Sequence, residues 1–255
     1  MIHKLFPYLC KNYVSMEYKN RIADKLLRDK LEAMGAVLIE GPKACGKTTT
    51  AEQQAKSIIY MDDPVKQEQY KQMAQTNIRF LLEGETPRLI DEWQHVPQFW
   101  DAIRFEVDHR DDDGQFMLTG SAVPADMKEI HHTGTGRYGW LTMRPMSLWE
   151  SGESTGEVSL SDLFLTPDRI GALNKLTLPM LAFAACRGGW PKSLQKKTEK
   201  AALSQVTEYY KAITNSDISR VDNVKRDEER AKRIMRSYAR HQGSQTSIAT
   251  ILADI

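Results

Sequence analysis

Apolar residues in the first half of the chain follow two alternating patterns, short continuous runs and longer segments with helical spacing. Between residues 18 and 34 they recur every three or four positions, which predicts an amphipathic helix that Gly35 ends. Residues 36–40 then form a short apolar run of the kind that lies buried in a parallel sheet. Further runs of this kind predict strands at residues 57–61, 88–92, 115–121 and 139–143. The segments between them predict helices at residues 47–55, 65–82 and 99–109.

This alternation of strands and helices predicts an α/β fold, because consecutive parallel strands need helical crossovers on the faces of the sheet. We expect a three-layer domain around a central, mostly parallel five-stranded sheet. The pattern changes at residues 151–156, which predict an exposed linker. Beyond the linker the chain is mainly helical, with helices expected at residues 179–186, 198–214 and 226–242. We therefore divide the chain into an N-terminal extension (1–17), the α/β domain (18–150) and a smaller helical region (160–255).

Charge and composition exclude few classes of function. The formal net charge is +1, so no overall basic field supports DNA as a partner, although local patches are compatible with it. The three cysteines, Cys10, Cys45 and Cys186, are few and far apart, which favours a reducing compartment over a disulfide framework. No apolar stretch approaches the ~20 residues that span a bilayer. We therefore predict a soluble cytoplasmic protein with no membrane partner.

A glycine-rich loop with the pattern G-x-x-x-x-G-K-T follows the first predicted strand and opens the next helix. Such a P-loop binds phosphate, since backbone N–H groups surround the phosphate oxygens and glycine lets the backbone approach closely. In this role Lys47 supplies positive charge to the β- and γ-phosphates, and the Thr48 hydroxyl binds Mg²⁺. We count Thr49 with the loop, although Thr49 and Thr50 are expected to continue the helix. The predicted nucleotide-binding segment is Gly41, Pro42, Lys43, Ala44, Cys45, Gly46, Lys47, Thr48 and Thr49.

Two adjacent acidic residues, Asp91 and Glu92, end the third predicted strand. An apolar strand that ends in Asp-Glu, downstream of a P-loop, is typical of a nucleotide-hydrolysing site. Asp91 is predicted to hold Mg²⁺, directly or through water. Glu92 is predicted to orient and deprotonate the attacking water. A solvated turn before Pro97 is the alternative interpretation of the same residues.

Polar residues also end the fourth predicted strand. Thr119 or Ser121 is predicted to sense the γ-phosphate through a hydrogen bond, and a polar start of a loop is the alternative.

Two arginines follow in positions from which they can reach a phosphate. Arg137 lies in a loop flanked by glycines, where its guanidinium can stabilise transition-state charge in its own site or in a neighbour's. Arg144 is the second candidate, and an exposed surface arginine is the alternative for both.

In their order along the chain, these motifs resemble the prokaryotic AAA-type ATPases that join an N-terminal P-loop domain to a C-terminal domain of unassigned function. The matching stretches are the helix 18–34 with IEGPK (39–43), LIDEWQ (89–94), LTGSA (118–122), GTGRY (134–138), RPMSLWE (144–150) and GGWP (188–191). The resemblance implies ATP as the nucleotide and places the P-loop strand between the fourth and fifth strands. Residues 226–252 resemble the opening of that group's winged-helix segment. Because the sequence stops at Ile255, we expect the winged helix to be incomplete.

Together these observations predict a Mg²⁺-dependent ATPase that drives a conformational change in the helical region. The expected ligands are ATP and Mg²⁺, and the expected partners are further copies of the chain or a client protein. The alternative is a nucleotide-dependent switch, or a nucleic-acid-linked binding module, with little hydrolysis. A small-molecule phosphotransferase is a third, weaker interpretation, since no acceptor pocket is recognisable.

Overall fold

The computed structural model describes residues 18–110, 112–120, 134–218 and 227–255. Within these residues five strands form one sheet in which every pair is parallel. The strands are β1 (Ala36–Glu40), β2 (Ser57–Tyr60), β3 (Arg88–Asp91), β4 (Phe116–Thr119) and β5 (Tyr138–Thr142). Their order across the sheet is β2-β3-β4-β1-β5. The predicted position of the P-loop strand, between the fourth and fifth strands, is therefore confirmed.

Alternate residues of the central strands enter two separate apolar cores, one on each face of the sheet. Leu38 of β1, Ile90 of β3 and Leu118 of β4 belong to one core. Their neighbours along the strands, Val37 of β1 and Leu89 of β3, belong to the other. Because successive side chains of a strand point to opposite faces, a continuous apolar run fits only a sheet that is covered on both sides. The predicted three-layer α/β fold is confirmed.

Six α-helices and one 3-10 turn, Trp93–His95, accompany the sheet in the described part of residues 18–151. The α-helices are α1 (Ile22–Leu31), α2 (Lys47–Glu52), α3 (Gln67–Asn77), α4 (Arg79–Leu82), α5 (Phe99–Arg110) and α6 (Leu148–Ser151).

The first helix, α1, is shorter than the predicted segment 18–34, because Arg21 has extended backbone angles and Asp24 caps the helix start. Its buried face consists of Ala23, Leu27 and Leu31. Ile22 and Leu26, two of the apolar residues at helical spacing, are exposed.

The second half of the described chain is helical, as predicted. Its helices are α7 (Leu160–Leu165), α8 (Leu178–Arg187), α9 (Pro191–Leu194), α10 (Glu199–Ala212), α11 (Glu228–Arg240) and α12 (Ile248–Ala253). A π-helical turn, Ile213–Asp217, continues α10. No helix among the described residues is long and apolar enough to span a bilayer. The division into domains at residues 151–160 stays a prediction.

Several contacts join the helical region to the α/β domain and to the linker between them. In the predicted linker, Glu153 forms an ion pair with Arg187 at 2.6 Å. Farther along, the Met146 N–H donates to the Gly189 carbonyl at 2.7 Å. A side chain at Gly189 would overlap the Met146 carbonyl, so glycine is required for this close approach. Trp190, beside it, packs against the core on the P-loop side of the sheet. The start of the helical region therefore lies against the loop that follows β1.

Candidate functional site

The loop between β1 and α2 has a backbone that bends back on itself at three residues with positive φ. These are Gly41 (φ 151°), Ala44 (φ 63°) and Gly46 (φ 104°). A Cβ at Gly41 would overlap the carbonyl of Met143, at the end of β5, so the glycine lets the loop lie against that strand. Ala44 adopts the left-handed conformation without being glycine, which costs on the order of 1 kcal/mol. Such strained residues cluster at ligand-binding loops.

Lys47, the first residue of α2, is buried beneath this loop. Its Nζ donates to the carbonyls of Gly41 at 3.0 Å and Pro42 at 3.2 Å. Among the described residues, no carboxylate forms an ion pair with this ammonium group. A buried cation that is held only by carbonyl dipoles favours an anion as its missing counter-charge.

Three side chains from three elements meet beside the loop. The Thr48 hydroxyl of α2 donates to Asp91 Oδ1 at 2.7 Å. The Thr119 hydroxyl, at the end of β4, donates to the same carboxylate oxygen. Asp91 and Thr119 are both buried. The structure thus places Thr119 on the aspartate, and a contact with the γ-phosphate stays a prediction.

Glu92 follows Asp91 in the left-handed conformation, with φ 53°, and turns away from the strand. Its carboxylate accepts a hydrogen bond from the Gln94 side-chain amide. The other amide atom, Gln94 Oε1, is buried and has no hydrogen-bond partner among the described residues. It lies against Gly120, where a Cβ would be 2.6 Å from it. Gln94 therefore fills the space between the ends of β3 and β4 and holds the carboxylate of Glu92.

Arg21 also contacts the loop, and no sequence motif predicted this residue. Its guanidinium donates to the carbonyls of Cys45 at 2.9 Å and Arg144 at 2.7 Å, and to Glu150 at 2.9 Å. A Cβ at Gly46 would be 3.1 Å from this guanidinium, so the second loop glycine admits the arginine. The three partners are 24, 123 and 129 residues away in sequence, and no local pattern marks such a contact.

The ion pair between Arg21 and Glu150 depends on pH, because the Glu150 carboxyl must be ionised to form it. Burial opposes ionisation of Glu150, but the backbone N–H groups of Ser147 and Ile22 and the Arg21 guanidinium outweigh it and hold its pKa below the usual value. A carboxyl whose pKa is lower in the folded state stabilises the fold above its unfolded pKa, about 4.3 for glutamate. This stabilisation is lost as the pH falls through the folded value.

We predict that Glu150→Gln lowers the free energy of unfolding at neutral pH. The difference from the wild type should shrink as the pH falls below about 4.3. Urea titrations of both proteins between pH 7 and pH 3 measure it. A difference that stays constant or grows in acid would contradict the assignment, and Glu83→Gln, at an exposed position, is the control.

The other predicted site residues do not all reach the loop. Arg137 precedes β5, and its carbonyl accepts a hydrogen bond from the Ala36 N–H at the start of β1. It therefore lies at the amino-terminal ends of the strands, whereas the loop lies at their carboxyl ends. Its guanidinium binds Asp108 at 2.8 Å. Five residues of strand, roughly 16 Å, separate the amino-terminal ends from Gly41. A role for Arg137 in its own site, one of the two alternatives, therefore does not fit the structure.

Three further candidates are placed differently. Arg144 follows β5 and lies at the same sheet edge as the loop. Thr49 is exposed on α2, and Ser121 lies outside the described residues.

The described residues contain no cluster of three or more His, Cys, Asp or Glu side chains able to hold a metal by themselves. Thr48 and Asp91 nevertheless offer neighbouring oxygen atoms, the ligand type that Mg²⁺ prefers, and Mg²⁺ commonly takes its remaining ligands from phosphate and water. The residues therefore fit Mg²⁺ that arrives with a nucleotide.

A parallel sheet whose β1 leads into this loop, with Lys47 beneath it and Asp91 facing Thr48, defines the class of P-loop nucleoside triphosphatases. Within that class, residues 34–151 of the chain match the family model of the AAA domain. Residues 179–255 match a second model, a domain of unknown function (DUF8612). No curated protein matches the chain.

Several solved structures are similar to the chain at low sequence identity. The Walker-type ATPase PABY2304 of Pyrococcus abyssi has a TM-score of 0.49 at 12% identity, over 93% of this chain and 88% of that chain. PCH-2 of C. elegans has a TM-score of 0.37 at 15% identity, over 73% of this chain and 66% of that chain. Drosophila ORC bound to DNA has a TM-score of 0.32 at 15% identity, over 94% and 74%.

Proposed function

We propose that this protein binds ATP with Mg²⁺ and hydrolyses it, and that turnover changes the position of the helical region. The convergence of Thr48 and Thr119 on one oxygen of Asp91, beside a buried Lys47, carries the proposal. This arrangement joins a phosphate-binding cation to a set of oxygen ligands for a divalent metal.

Each residue of the arrangement has a separate role in the proposed reaction. Lys47 binds the β- and γ-phosphates, and Thr48 and Asp91 hold Mg²⁺. When bound, Mg²⁺ neutralises charge on the phosphate oxygens. Glu92 accepts a proton from the attacking water and directs its oxygen towards the γ-phosphate. Thr119 fixes the orientation of Asp91 through its hydrogen bond.

A single substitution at the metal ligands tests the proposal. Thr48→Ala should weaken ATP binding about tenfold or more when Mg²⁺ is present, because a charge-assisted ligand is lost. In EDTA the variant and the wild type should bind ATP equally well. Isothermal titration calorimetry with and without Mg²⁺ measures both affinities, and release of phosphate measures turnover. An equal loss of affinity in EDTA would show that Thr48 acts on the loop rather than on the metal.

A nucleotide-dependent switch with little hydrolysis is the second candidate. The hydrogen bond from Gln94 to the carboxylate of Glu92 favours it, because a carboxylate engaged by an amide has fewer free lone pairs for water. Gln94→Ala separates the two candidates. Faster turnover in this variant would favour a restrained switch, whereas slower turnover would show that Gln94 supports hydrolysis.

The position of Arg137 also bears on the number of copies in the active assembly. Its side chain lies at the sheet edge opposite its own loop and is 44% exposed. Any contact of Arg137 with a nucleotide would therefore come from a second copy of the chain. We propose a homo-oligomer on this ground, and an ATPase rate per chain that rises with protein concentration would support it.

A further inference from the structure

Hydrogen-bond donors from several parts of the chain bind the carbonyl groups of the phosphate loop. Lys47 binds the carbonyls of Gly41 and Pro42, and the Thr50 N–H of α2 binds that of Gly46. Two donors come from distant parts of the chain. Arg21 binds the carbonyl of Cys45 at 2.9 Å, and the hydroxyl of Tyr209 binds that of Lys43 at 2.9 Å.

A hydrogen bond that fixes the direction of a backbone carbonyl also fixes the direction of the N–H group of the following residue. The peptide unit is planar and trans, so its N–H points away from its C=O. Because Tyr209 holds the Lys43 carbonyl outward, the N–H of Ala44 is turned to the opposite side of the loop. Backbone N–H groups are the donors that a P-loop offers to phosphate. The Tyr209 contact thus acts on the part of the loop that would meet the nucleotide.

Tyr209 belongs to α10, inside the segment that matches the domain of unknown function, and lies 166 residues from Lys43 in sequence. Its ring contacts Trp190, with 4.4 Å between the ring centroids. The Lys43 side chain forms a second link at 3.8 Å to Asp217, the last residue of the π-helical turn after α10. Irregular turns of this type are frequent at functional sites. One loop residue, Lys43, therefore connects the loop with the helical region twice.

We infer that Tyr209 is a positioning residue for the nucleotide, through which the domain of unknown function sets the shape of the phosphate loop. This inference rests on the proposed function, since it requires that the loop binds ATP. The Tyr209 contact and the nucleotide favour the same loop conformation. Binding linkage is reciprocal, so ATP must also strengthen the packing of α10 against the loop.

The hydroxyl of Tyr209 is suited to this role at neutral pH. Burial, together with the negative charge of Cys45 and Asp217 when they are ionised, raises the pKa of Tyr209. The hydroxyl therefore stays protonated and able to donate.

Tyr209→Phe tests the inference, because it removes one hydroxyl and keeps the ring on Trp190. The neighbouring tyrosine of the same helix supplies the matched control, Tyr210→Phe. We expect Tyr209→Phe to raise the Kd of ATP with Mg²⁺ about three- to tenfold, the range for one lost hydrogen bond. The kcat should stay that of the wild type, and the Tm without nucleotide should fall by no more than about 5 °C, the effect of one hydrogen bond in a chain of this size. Tyr210→Phe should change none of these quantities.

Hydrogen exchange supplies the reciprocal measurement. ATP should slow amide exchange in residues 199–217 of the wild type and of Tyr210→Phe, and should slow it less in Tyr209→Phe. If the role of Tyr209 were purely structural, the Tm without nucleotide would fall, while ATP would protect residues 199–217 equally in Tyr209→Phe and Tyr210→Phe.

The outcomes separate the inference from the proposed function. If the wild type binds ATP and releases no phosphate, the proposal of hydrolysis is overturned. The comparison of Kd values still decides the role of Tyr209. If the wild type binds no ATP, both are overturned. If Tyr209→Phe and Tyr210→Phe bind ATP equally well, or ATP protects residues 199–217 equally in both, only the inference is overturned.

Discussion

Glu92→Gln is expected to lower the kcat for ATP hydrolysis at least about a hundredfold, while ATP binds with nearly unchanged affinity. The amide of glutamine keeps the size of the side chain but does not accept a proton from water at neutral pH. Among the described residues, the Glu92 side chain forms a hydrogen bond with Gln94 and none with the loop. Its loss should therefore act on the chemical step and spare the residues that hold the phosphates.

Single-turnover measurements of phosphate release, with the ATP affinity measured separately, test this expectation. Glu83→Gln makes the same chemical change at an exposed position before β3 and should hydrolyse ATP like the wild type. Unchanged turnover in Glu92→Gln would remove this residue from the mechanism. A parallel loss of affinity and kcat would instead show that the left-handed turn at Glu92 supports the loop.

The second large effect concerns stability. Arg21→Ala is expected to lower the free energy of unfolding by about 3 kcal/mol, because Glu150 loses its paired cation and keeps the hydrogen bonds from Ser147 and Ile22. The two side chains are only 5% and 6% exposed. The variant also frees the carbonyls of Cys45 and Arg144, so ATP should bind more weakly to whatever fraction stays folded. Arg21→Lys should rescue little, because an ammonium group cannot reproduce the planar fork that serves three partners.

Chemical denaturation measures this loss, and Arg28→Ala, at an exposed position on the same helix, is the control. The control should lie within about 0.5 kcal/mol of the wild type. If Arg21→Ala is as stable as Arg28→Ala, then the ion pair with Glu150 contributes nothing to folding. In that case water reaches the pair and screens it.

Much of the fold could be predicted because the interior positions of the central strands are apolar, and the buried polar residues Arg88, Asp91 and Thr119 stand at strand ends. The run at 36–40 coincides with β1, and the run at 88–92 is longer than β3 by one residue. The helix α1 shows where this reasoning fails. Its apolar spacing allowed two faces, and tertiary packing selected Ala23, a small residue that a hydrophobic pattern weights little.

Some residues of the site could be predicted from local motifs, and others depend on contacts between distant parts of the chain. The glycine spacing identifies the loop, and the acidic strand end identifies Asp91. The sequence therefore predicted both residues of the Thr48–Asp91 contact. Arg21 and Tyr209 carry no such mark, because their loop partners are carbonyl groups, which every residue possesses. A sequence cannot show which backbone carbonyl a distant side chain will meet.

These distant contacts also determine the order in which the site forms during synthesis of the chain. The loop itself is complete once Thr48 has been made, but the donor to its Cys45 carbonyl is fixed by Glu150, and the donor to its Lys43 carbonyl is Tyr209. Domains generally fold as their residues leave the ribosome, and contacts between remote residues form late. The contacts around the phosphate loop therefore begin among the first fifty residues of the chain and are complete only after Tyr209 has emerged.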